Sequence, residues 1–237
     1  MFPKEQGYFF PAEWHPHAAT WITFPHNDHS WQEEKLGQMY PEYFALIKAI
    51  SQGELVRINV NSVALQAFIE SQLPVYGINP AALEFNLQPT NDAWCRDHGP
   101  AFLVKEGSAD RLLVNWEYNA WGGKYPPFSD DNALPITIAT RLSLPVVSPG
   151  IIMEGGSVDF NGAGTVITSR SCLLNPNRNP HLTQTQIEEY LQRYYGVSQV
   201  LWVSDGIVGD DTDGHIDDTV RFVNANTVIA MVEPNEQ

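Results

Sequence analysis

The sequence predicts a mixed fold of the α/β or α+β class, and three observations lead to this prediction. Ten short segments are rich in β-branched and aromatic residues, as strands are, and three longer segments have the periodicity of amphipathic helices. The two types alternate along the chain. Turn residues occur throughout, with 17 Gly and 17 Pro in 237 residues, which favours many short elements over a helical bundle.

Three segments are predicted to be helices from their apolar spacing and their end signals. The first covers about residues 33–52, and Gly53 follows it as a stop signal. The second starts after Ser62, which can cap it, and runs to about residue 73. The third opens with the capping box at residues 183–186 and ends at Gly196. The side chains predicted to face the core are Met39, Tyr43, Leu46, Ile47, Ile50, Leu65, Phe68, Ile69, Leu73, Ile187, Leu191, Tyr194 and Tyr195.

The predicted strands lie between and after these helices. They are residues 20–24, 55–60, 83–87, 101–104, 112–116, 157–160, 165–168, 200–203, 219–223 and 227–232. Hydrophobic residues make up 43% of the chain, which is enough for a folded domain with a substantial core.

A repeat of about sixty residues is visible in the second half of the chain. Asp97, Glu154 and His215 each lie in a glycine-containing motif that precedes a predicted hairpin. Asp97 and Glu154 are 57 residues apart, and Glu154 and His215 are 61 apart. If the repeats are arranged radially, each brings its polar motif to a common centre. No linker divides the chain, so we predict a single domain over residues 1–237.

The net charge of −15 limits the partners of this protein. It argues against binding to nucleic acid or to an anionic membrane surface, both of which need basic residues. It is compatible with steering a cationic substrate, although solubility alone explains it. The N-terminus has no apolar signal segment and no stretch is long enough to span a bilayer, so the cytoplasm is the expected location.

The densest polar cluster covers residues 209–218. An EF-hand calcium loop with Gly214 at its sixth position would need carboxylates at Gly209 and Val220, so that interpretation fails. His215 and Asp217 are two residues apart at the start of a strand, where both side chains point to the same face. This pair suits acid/base chemistry on a cation. The alternative is a hydrated turn whose Asp residues cap the backbone.

Two further motifs carry candidate ligands for a cation. Trp94 could offer an aromatic face to a flat cation such as guanidinium, and Asp97 could bind it through two parallel hydrogen bonds. Glu154 precedes two glycines, which allow a ligand to approach the backbone closely. The alternatives are a core tryptophan, an ordinary ion pair of Asp97 with Arg96, and a tight turn with an exposed Glu154.

Neither cysteine is predicted to be a nucleophile. Cys95 lies between Trp94 and Arg96, and Cys172 precedes two leucines as a small core residue would. Two cysteines are too few for a disulfide scaffold. No Gly-x-Ser-x-Gly, dinucleotide or P-loop motif occurs.

Metal ligation is the remaining chemical alternative. A zinc site could draw on His15, His17, His215 and carboxylates, but no spacing demands one. No metal or other cofactor is therefore predicted.

Taken in order, the motifs resemble those of the agmatine deiminases, whose family includes the bacterial peptidylarginine deiminases of the Porphyromonas type. The resemblance runs over essentially the whole chain. The matching segments are residues 11–14, Trp21, Pro25, and residues 94–100, 119–123, 154–157, 172–180 and 211–217.

The resemblance implies a fold and a mechanism. The fold is the α/β propeller (pentein), with five ββαβ units around a central active site, and the period of about sixty residues agrees with it. The implied chemistry is attack of a cysteine thiolate on the guanidinium carbon, loss of ammonia and hydrolysis of the covalent intermediate, with no metal or organic cofactor. The implied pathway is putrescine (polyamine) biosynthesis.

The resemblance also assigns roles to individual residues. Asp97 and Asp217 match the family's guanidinium-binding carboxylates, and His215 matches its acid/base histidine. Trp94 matches a pocket aromatic and Asp211 a further substrate contact. Glu154 is a motif residue that we count among the substrate-binding positions. Family members often pair, so a homodimer is compatible with the resemblance.

One family feature is missing from the sequence. The family's nucleophilic cysteine belongs to a Gly-x-His-Cys motif near the C-terminus, whereas this chain closes with residues 233–237 and lacks that motif. We therefore expect the propeller to be incomplete, with about three of five units, and truncated at the C-terminus. We also expect no deiminase activity from these 237 residues alone. Besides agmatine deimination, peptidyl-arginine deimination to citrulline and a catalytically dead cation-binding protein stay open.

Overall fold

Strands and helices alternate in the computed structural model, which describes residues 1–31 and 33–233. The helices are α1 (Glu33–Ser51), α2 (Val63–Tyr76), α3 (Cys95–His98), α4 (Ala120–Gly123), α5 (Ser129–Leu142), α6 (Arg170–Leu173) and α7 (Gln184–Tyr195). The strands are β1 (Tyr8–Phe9), β2 (Thr20–Thr23), β3 (Val56–Val60), β4 (Leu83–Leu87), β5 (Ala101–Lys105), β6 (Arg111–Val114), β7 (Val146–Val147), β8 (Val158–Phe160), β9 (Thr165–Ser169), β10 (Gln199–Val203), β11 (Val220–Asn224) and β12 (Thr227–Ala230). The predicted mixed α/β class is confirmed.

The closing residues 234–237, on which the expected truncation depends, lie outside the described part of the chain. None of the described helices combines the length and the apolar character that crossing a membrane requires.

The described chain divides into two compact units. The first contains Pro16–Arg96 and Pro127–Leu134, and its centre is a parallel sheet in the order β2-β3-β4. The connections are α1 and α2, as expected where strands run parallel. Ser62 caps α2 as predicted, because its hydroxyl oxygen accepts a hydrogen bond of 3.1 Å from the backbone N–H of Leu65.

Two predicted core positions are wrong, Phe68 on α2, which is 37% exposed, and Leu46 on α1. Leu46 is 45% exposed, whereas Phe44 and Ile47 are fully buried. Successive residues of a helix differ by about 100° around its axis, so Leu46 lies nearly opposite Phe44. The prediction missed this because several apolar residues of α1 compete for the inward face.

The second unit contains Met1–His15, Asp97–Pro126 and the described part of the chain from Pro135 onward. All three predicted hairpins are present as antiparallel pairs, namely β5 with β6, β8 with β9, and β11 with β12. The first two are each followed by a helix and a parallel strand, since β7 pairs with β6 and β10 with β9. Each polar motif of the sequence repeat therefore precedes a hairpin.

Helix α5 was not predicted, although it supplies the helix of the first of these repeats. Pro135 lies inside it, and proline in a helix interior removes a hydrogen bond and crowds the preceding turn. Leu134 and Ile138 are nevertheless fully buried, so packing outweighs the low helical propensity of this segment. The two-residue strands β1 and β7 were also missed, because they are too short for any periodicity.

Helix α7 confirms its predicted start and end. Thr183 and Gln186 form the capping box, and Gly196 adopts the left-handed conformation with φ of 75°. Ile187, Leu191 and Tyr195 are buried, as predicted from their spacing.

A buried acid in the first unit predicts a pH effect on stability. Asp131 accepts hydrogen bonds from the backbone N–H groups of Asn91 (2.8 Å) and Asp92 (3.1 Å). Burial raises the pKa of the Asp131 carboxyl to about 7, although these two hydrogen bonds oppose the shift. The folded state therefore holds a proton that the unfolded state has lost, and ionisation of Asp131 costs stability as the pH rises from about 4 to about 7.

We expect Asp131→Asn to flatten this part of the pH dependence, which corresponds to about 1.4 kcal/mol for each pKa unit of the shift. Urea unfolding between pH 4 and 8 measures it, with the neighbouring Asp130→Asn as the control. Equal slopes for the unaltered protein and Asp131→Asn would contradict the prediction.

Candidate active site

Asp97 lies in α3, shortly before β5, and two hydrogen-bond donors hold its carboxylate. Its Oδ1 accepts a hydrogen bond of 2.9 Å from the backbone N–H of Gly156, and its Oδ2 accepts one of 3.1 Å from the indole Nε1 of Trp121. All of these groups are buried or nearly so. The two donors fix the orientation of the carboxylate before any ligand arrives.

The indole that contacts Asp97 is positioned by an unusual backbone. Ala120, Trp121, Gly122 and Gly123 have φ angles of 52°, 54°, 88° and 79°, so the segment called α4 is a left-handed turn. The Asn119 side chain accepts a hydrogen bond from the backbone N–H of Gly122 and caps the turn. Left-handed conformations in residues other than glycine are strained, and such strain clusters at functional sites.

His215 faces Asp97 and a second carboxylate. Its Nδ1 lies 3.6 Å from Asp97 Oδ1 and 3.9 Å from Asp217 Oδ1. The imidazole is buried, and burial lowers the pKa of His215 below its usual value, although the carboxylates of Glu154 and Asp217 oppose this. A neutral imidazole with two carboxylates beside it can accept a proton at neutral pH.

Gly156 is the point on which these three side chains converge. A Cβ atom at Gly156 would lie 2.5 Å from His215 Nδ1, 2.7 Å from Asp97 Oδ1 and 2.8 Å from Asp217 Oδ2. Real side chains do not tolerate such distances. Glycine is therefore required at this position because no larger side chain has room. Its conformation is not the reason, because the backbone of Gly156 is not in the left-handed region.

Glu154 forms a buried ion pair next to this group. Both its side chain and that of Arg178 have 0% exposure, and Arg178 Nε donates a hydrogen bond of 2.6 Å to Glu154 Oε1. Burial raises the pKa of Glu154, although Arg178 and His215 oppose the shift. The second carboxylate oxygen, Oε2, is buried and has no hydrogen-bond partner among the described residues.

The loop between β10 and β11 is held by a second set of polar contacts. Asp213 accepts hydrogen bonds from Lys124 (2.7 Å), Asn177 (2.9 Å) and Arg178 (2.6 Å). Burial by itself would raise the pKa of Asp213, but these three donors lower it to about 2. Asp211 accepts a hydrogen bond from the Tyr125 hydroxyl.

Comparison with known proteins shows which family the chain belongs to. The sequence profile of the Porphyromonas-type peptidyl-arginine deiminases matches residues 9–237. The chain belongs to this family. Curated relatives of the deiminase family include the agmatine deiminase of Pseudomonas savastanoi pv. phaseolicola, which is 38% identical over 234 residues, covering 96% of this chain and 61% of the relative.

Solved deiminase structures agree with the fold. Agmatine deiminase of Enterococcus faecalis superposes with a TM-score of 0.87 at 29% identity, covering 99% of this chain and 63% of that one. A Cys-to-Ser variant of C. jejuni agmatine deiminase, solved with substrate bound, has a TM-score of 0.81 at 32% identity, covering 94% and 65%. The chain spans 60 to 66% of the length of the curated relatives that it matches.

The structure brings together four of the residues that the deiminase resemblance assigns to the site. Asp97, His215 and Asp217 surround Gly156, and Glu154 lies beside them. Asp211 lies in the adjacent loop, with its carboxylate on Tyr125. Their roles stay predictions.

Trp94 lies in the other compact unit, where it is 44% exposed and stacks on Trp31 with 5.5 Å between ring centroids. Its assignment as a pocket aromatic also stays a prediction.

Sequence reasoning gave no role to two residues that hold the carboxylates of this group in place. Trp121 donates to Asp97, and Arg178 contacts Glu154 and Asp213. Arg178 lies in the Asn- and Pro-rich stretch at residues 175–180, which we interpreted as a rigid loop only. A lone arginine in a polar loop carried no signal that it would be buried.

The surroundings of Cys172 oppose a resting thiolate. Burial raises the pKa of the Cys172 thiol well above its usual value, and the nearby Glu154 carboxylate adds to this shift. Cys95 Sγ lies 3.5 Å from the carbonyl oxygen of Trp21, within hydrogen-bond distance for a thiol. A nucleophilic thiol needs positive surroundings instead. That neither cysteine is the nucleophile stays a prediction.

Proposed function

We propose that this protein is a guanidine hydrolase that converts agmatine to N-carbamoylputrescine and ammonia, a step in putrescine biosynthesis. One observation carries the proposal: Asp97, His215 and Asp217 converge on Gly156 in a buried group of two carboxylates and an imidazole. The named functions of the relatives and the net charge of −15, which favours a dicationic substrate, support it.

The geometry suits each polar step of deimination. The carboxylates of Asp97 and Asp217 accept the N–H groups of the planar guanidinium, as paired oxygens do. His215 takes the proton of the attacking thiol, the resulting thiolate adds to the guanidinium carbon, and the C–N bond breaks as His215 passes that proton to the leaving ammonia. Water then hydrolyses the covalent intermediate, and His215 takes up the proton that this water loses. We assign the thiolate to neither Cys95 nor Cys172.

We further infer that the sheets belong to an α/β propeller (pentein) and that residues 1–237 form one domain of it. Two successive strand-strand-helix-strand units and a third hairpin support this inference. Their polar motifs, at Asp97, Glu154 and His215, occupy equivalent positions before each hairpin.

Two other functions compete with agmatine deimination. Peptidyl-arginine deimination to citrulline is favoured by the description of the matching family. A catalytically dead relative would bind the cation and release nothing. Ammonia release from agmatine and from an arginyl peptide, measured side by side, separates the three. We expect no release from residues 1–237 alone. From a form that also carries the family's Gly-x-His-Cys motif we expect release from agmatine alone, whereas faster release from the peptide would replace the proposed substrate.

Binding of agmatine tests the carboxylates without requiring turnover. We expect Asp97→Asn and Asp217→Asn each to weaken agmatine binding by roughly 10- to 100-fold, because a hydrogen bond to a charged group contributes about 1.5–3 kcal/mol. Calorimetry measures the affinity, and Asp110→Asn, on the exposed turn between β5 and β6, is the matched control. Unchanged affinity in both site variants would refute the assignment.

A further inference from the structure

Two aromatic rings connect two carboxylates of the second compact unit. The indole N–H of Trp121 donates to Asp97 Oδ2 (3.1 Å), and the hydroxyl of Tyr125 donates to Asp211 Oδ2. The two rings meet edge to face, with 5.7 Å between their centroids and an interplanar angle of 84°. Because each ring is held at both of its ends, the pair fixes the distance between the carboxylates of Asp97 and Asp211.

The two ends of this row differ in their access to solvent. Asp97 and Trp121 are buried, whereas Tyr125 is 44% exposed and Asp211 is exposed. A guanidinium bound at Asp97 would therefore lie in the interior, and the far end of its alkyl chain would reach the surface near Asp211. The apolar ring surfaces between the two carboxylates suit the methylene groups of such a chain.

The Asp211 side chain forms no ion pair within the described part of the chain. Lys124 donates to the backbone carbonyl oxygen of Asp211, but its ion pair is with the carboxylate of Asp213, at 2.7 Å. The donor that contacts the carboxylate of Asp211 is the Tyr125 hydroxyl, which is neutral. A carboxylate whose charge is not matched by the protein is suited to receive the cation of a ligand.

We propose that Tyr125 is a specificity-determining residue, which holds the Asp211 carboxylate where it receives the distal ammonium of an aminoalkylguanidine. This inference rests on the proposed function, because it takes the guanidinium to lie at Asp97. The Tyr125 hydroxyl occupies Asp211 Oδ2 and leaves Oδ1 for the ammonium group. The ligand class is an unbranched guanidine with a second cation at a fixed chain length, and agmatine, with four methylene groups, belongs to this class.

The same arrangement discriminates against two other kinds of guanidine. A guanidine without a distal cation gains nothing from Asp211. A guanidine whose far end carries a carboxylate, as arginine does, would bring a second negative charge close to Asp211, and like charges at close range lower affinity. The arrangement therefore favours a dication over a monocation and over an amino acid.

Calorimetry with matched ligands tests this inference without requiring turnover. We expect agmatine to bind roughly 10- to 100-fold more tightly than n-butylguanidine, which has the same chain length and no ammonium group. Tyr125→Phe removes the hydroxyl and keeps the ring, so it should weaken agmatine binding by roughly 3- to 10-fold and leave n-butylguanidine binding unchanged. It should also reduce the preference for agmatine over its homologues with three and five methylene groups.

Two further variants show that Tyr125 acts through Asp211. Asp211→Asn should bring the affinities for agmatine and n-butylguanidine close together, and Tyr125→Phe added to it should have no further effect, because the carboxylate that the hydroxyl orients is gone. Tyr190→Phe is the matched control. Tyr190 lies on α7, where it stacks on Tyr194 with 5.8 Å between centroids, and its hydroxyl should affect neither ligand.

The outcomes separate this inference from the proposed function. Equal affinities for agmatine and n-butylguanidine in the unaltered protein would overturn the role of Asp211 and Tyr125, while the guanidinium site at Asp97 stands. The role of Tyr125 is also wrong if Tyr125→Phe weakens both ligands equally, or if its effect persists in the Asp211→Asn protein. If neither guanidine binds, the proposed binding site fails and this inference fails with it.

Discussion

Replacing Arg178 by Met is expected to destabilise the protein by about 3–5 kcal/mol, the usual cost of leaving one partner of a buried ion pair uncompensated. The guanidinium donates to Glu154 Oε1 (2.6 Å), Asp213 Oδ2 (2.6 Å) and the carbonyl oxygen of Thr212 (2.9 Å). Met fills a similar volume but satisfies none of these acceptors. Glu154 would then lie in an apolar interior with no cation beside it, and its pKa would rise further.

Urea unfolding at pH 7 measures this loss, and a second arginine provides the control. Arg193 pairs with Glu189 four residues before it on α7, and both side chains are about half exposed. Arg193→Met should therefore cost less than about 1 kcal/mol. The double variant Arg178→Met with Glu154→Gln should recover part of the loss, because the buried charge is then gone. Equal costs for the two arginine variants would contradict the buried-pair argument.

Gly156→Ala is expected to have the largest effect on the site. The added methyl group would lie 2.5–2.8 Å from His215 Nδ1, Asp97 Oδ1 and Asp217 Oδ2, so all three side chains must move apart. Displacements of about 1 Å commonly cost on the order of 100-fold in catalysis. We therefore expect agmatine binding and any turnover to fall by about 100-fold. The overpacking should cost about 1–3 kcal/mol of stability.

The matched control for this substitution is Gly37→Ala. Gly37 lies in α1, and a Cβ there meets no atom within 4 Å, so alanine should be neutral or slightly stabilising. Calorimetry with agmatine and thermal unfolding, applied to both variants, separate a local effect on the site from a global one. If Gly156→Ala binds agmatine as tightly as Gly37→Ala does, the three side chains do not form the binding site.

Local structure in this protein follows directly from short sequence signals. The caps at Ser62 and Thr183 and the left-handed Gly196 each depend on contacts within a few residues, so the sequence shows them. The three hairpins were predictable for the same reason. Helix α5 was not, because Pro135 opposes the helix locally and only burial of its apolar face stabilises it.

The sequence by itself therefore determined the mixed fold class and the polar motif before each hairpin. It also identified the three side chains that meet at Gly156, namely Asp97, His215 and Asp217. Only the tertiary structure decided which groups hydrogen-bond to the carboxylates of the site. Trp121 reaches Asp97, and Arg178 reaches Glu154, each across 24 residues, and the Gly156 amide reaches Asp97 across 59. Such contacts depend on where packed segments and a left-handed turn place the side chains, and no local pattern encodes that placement.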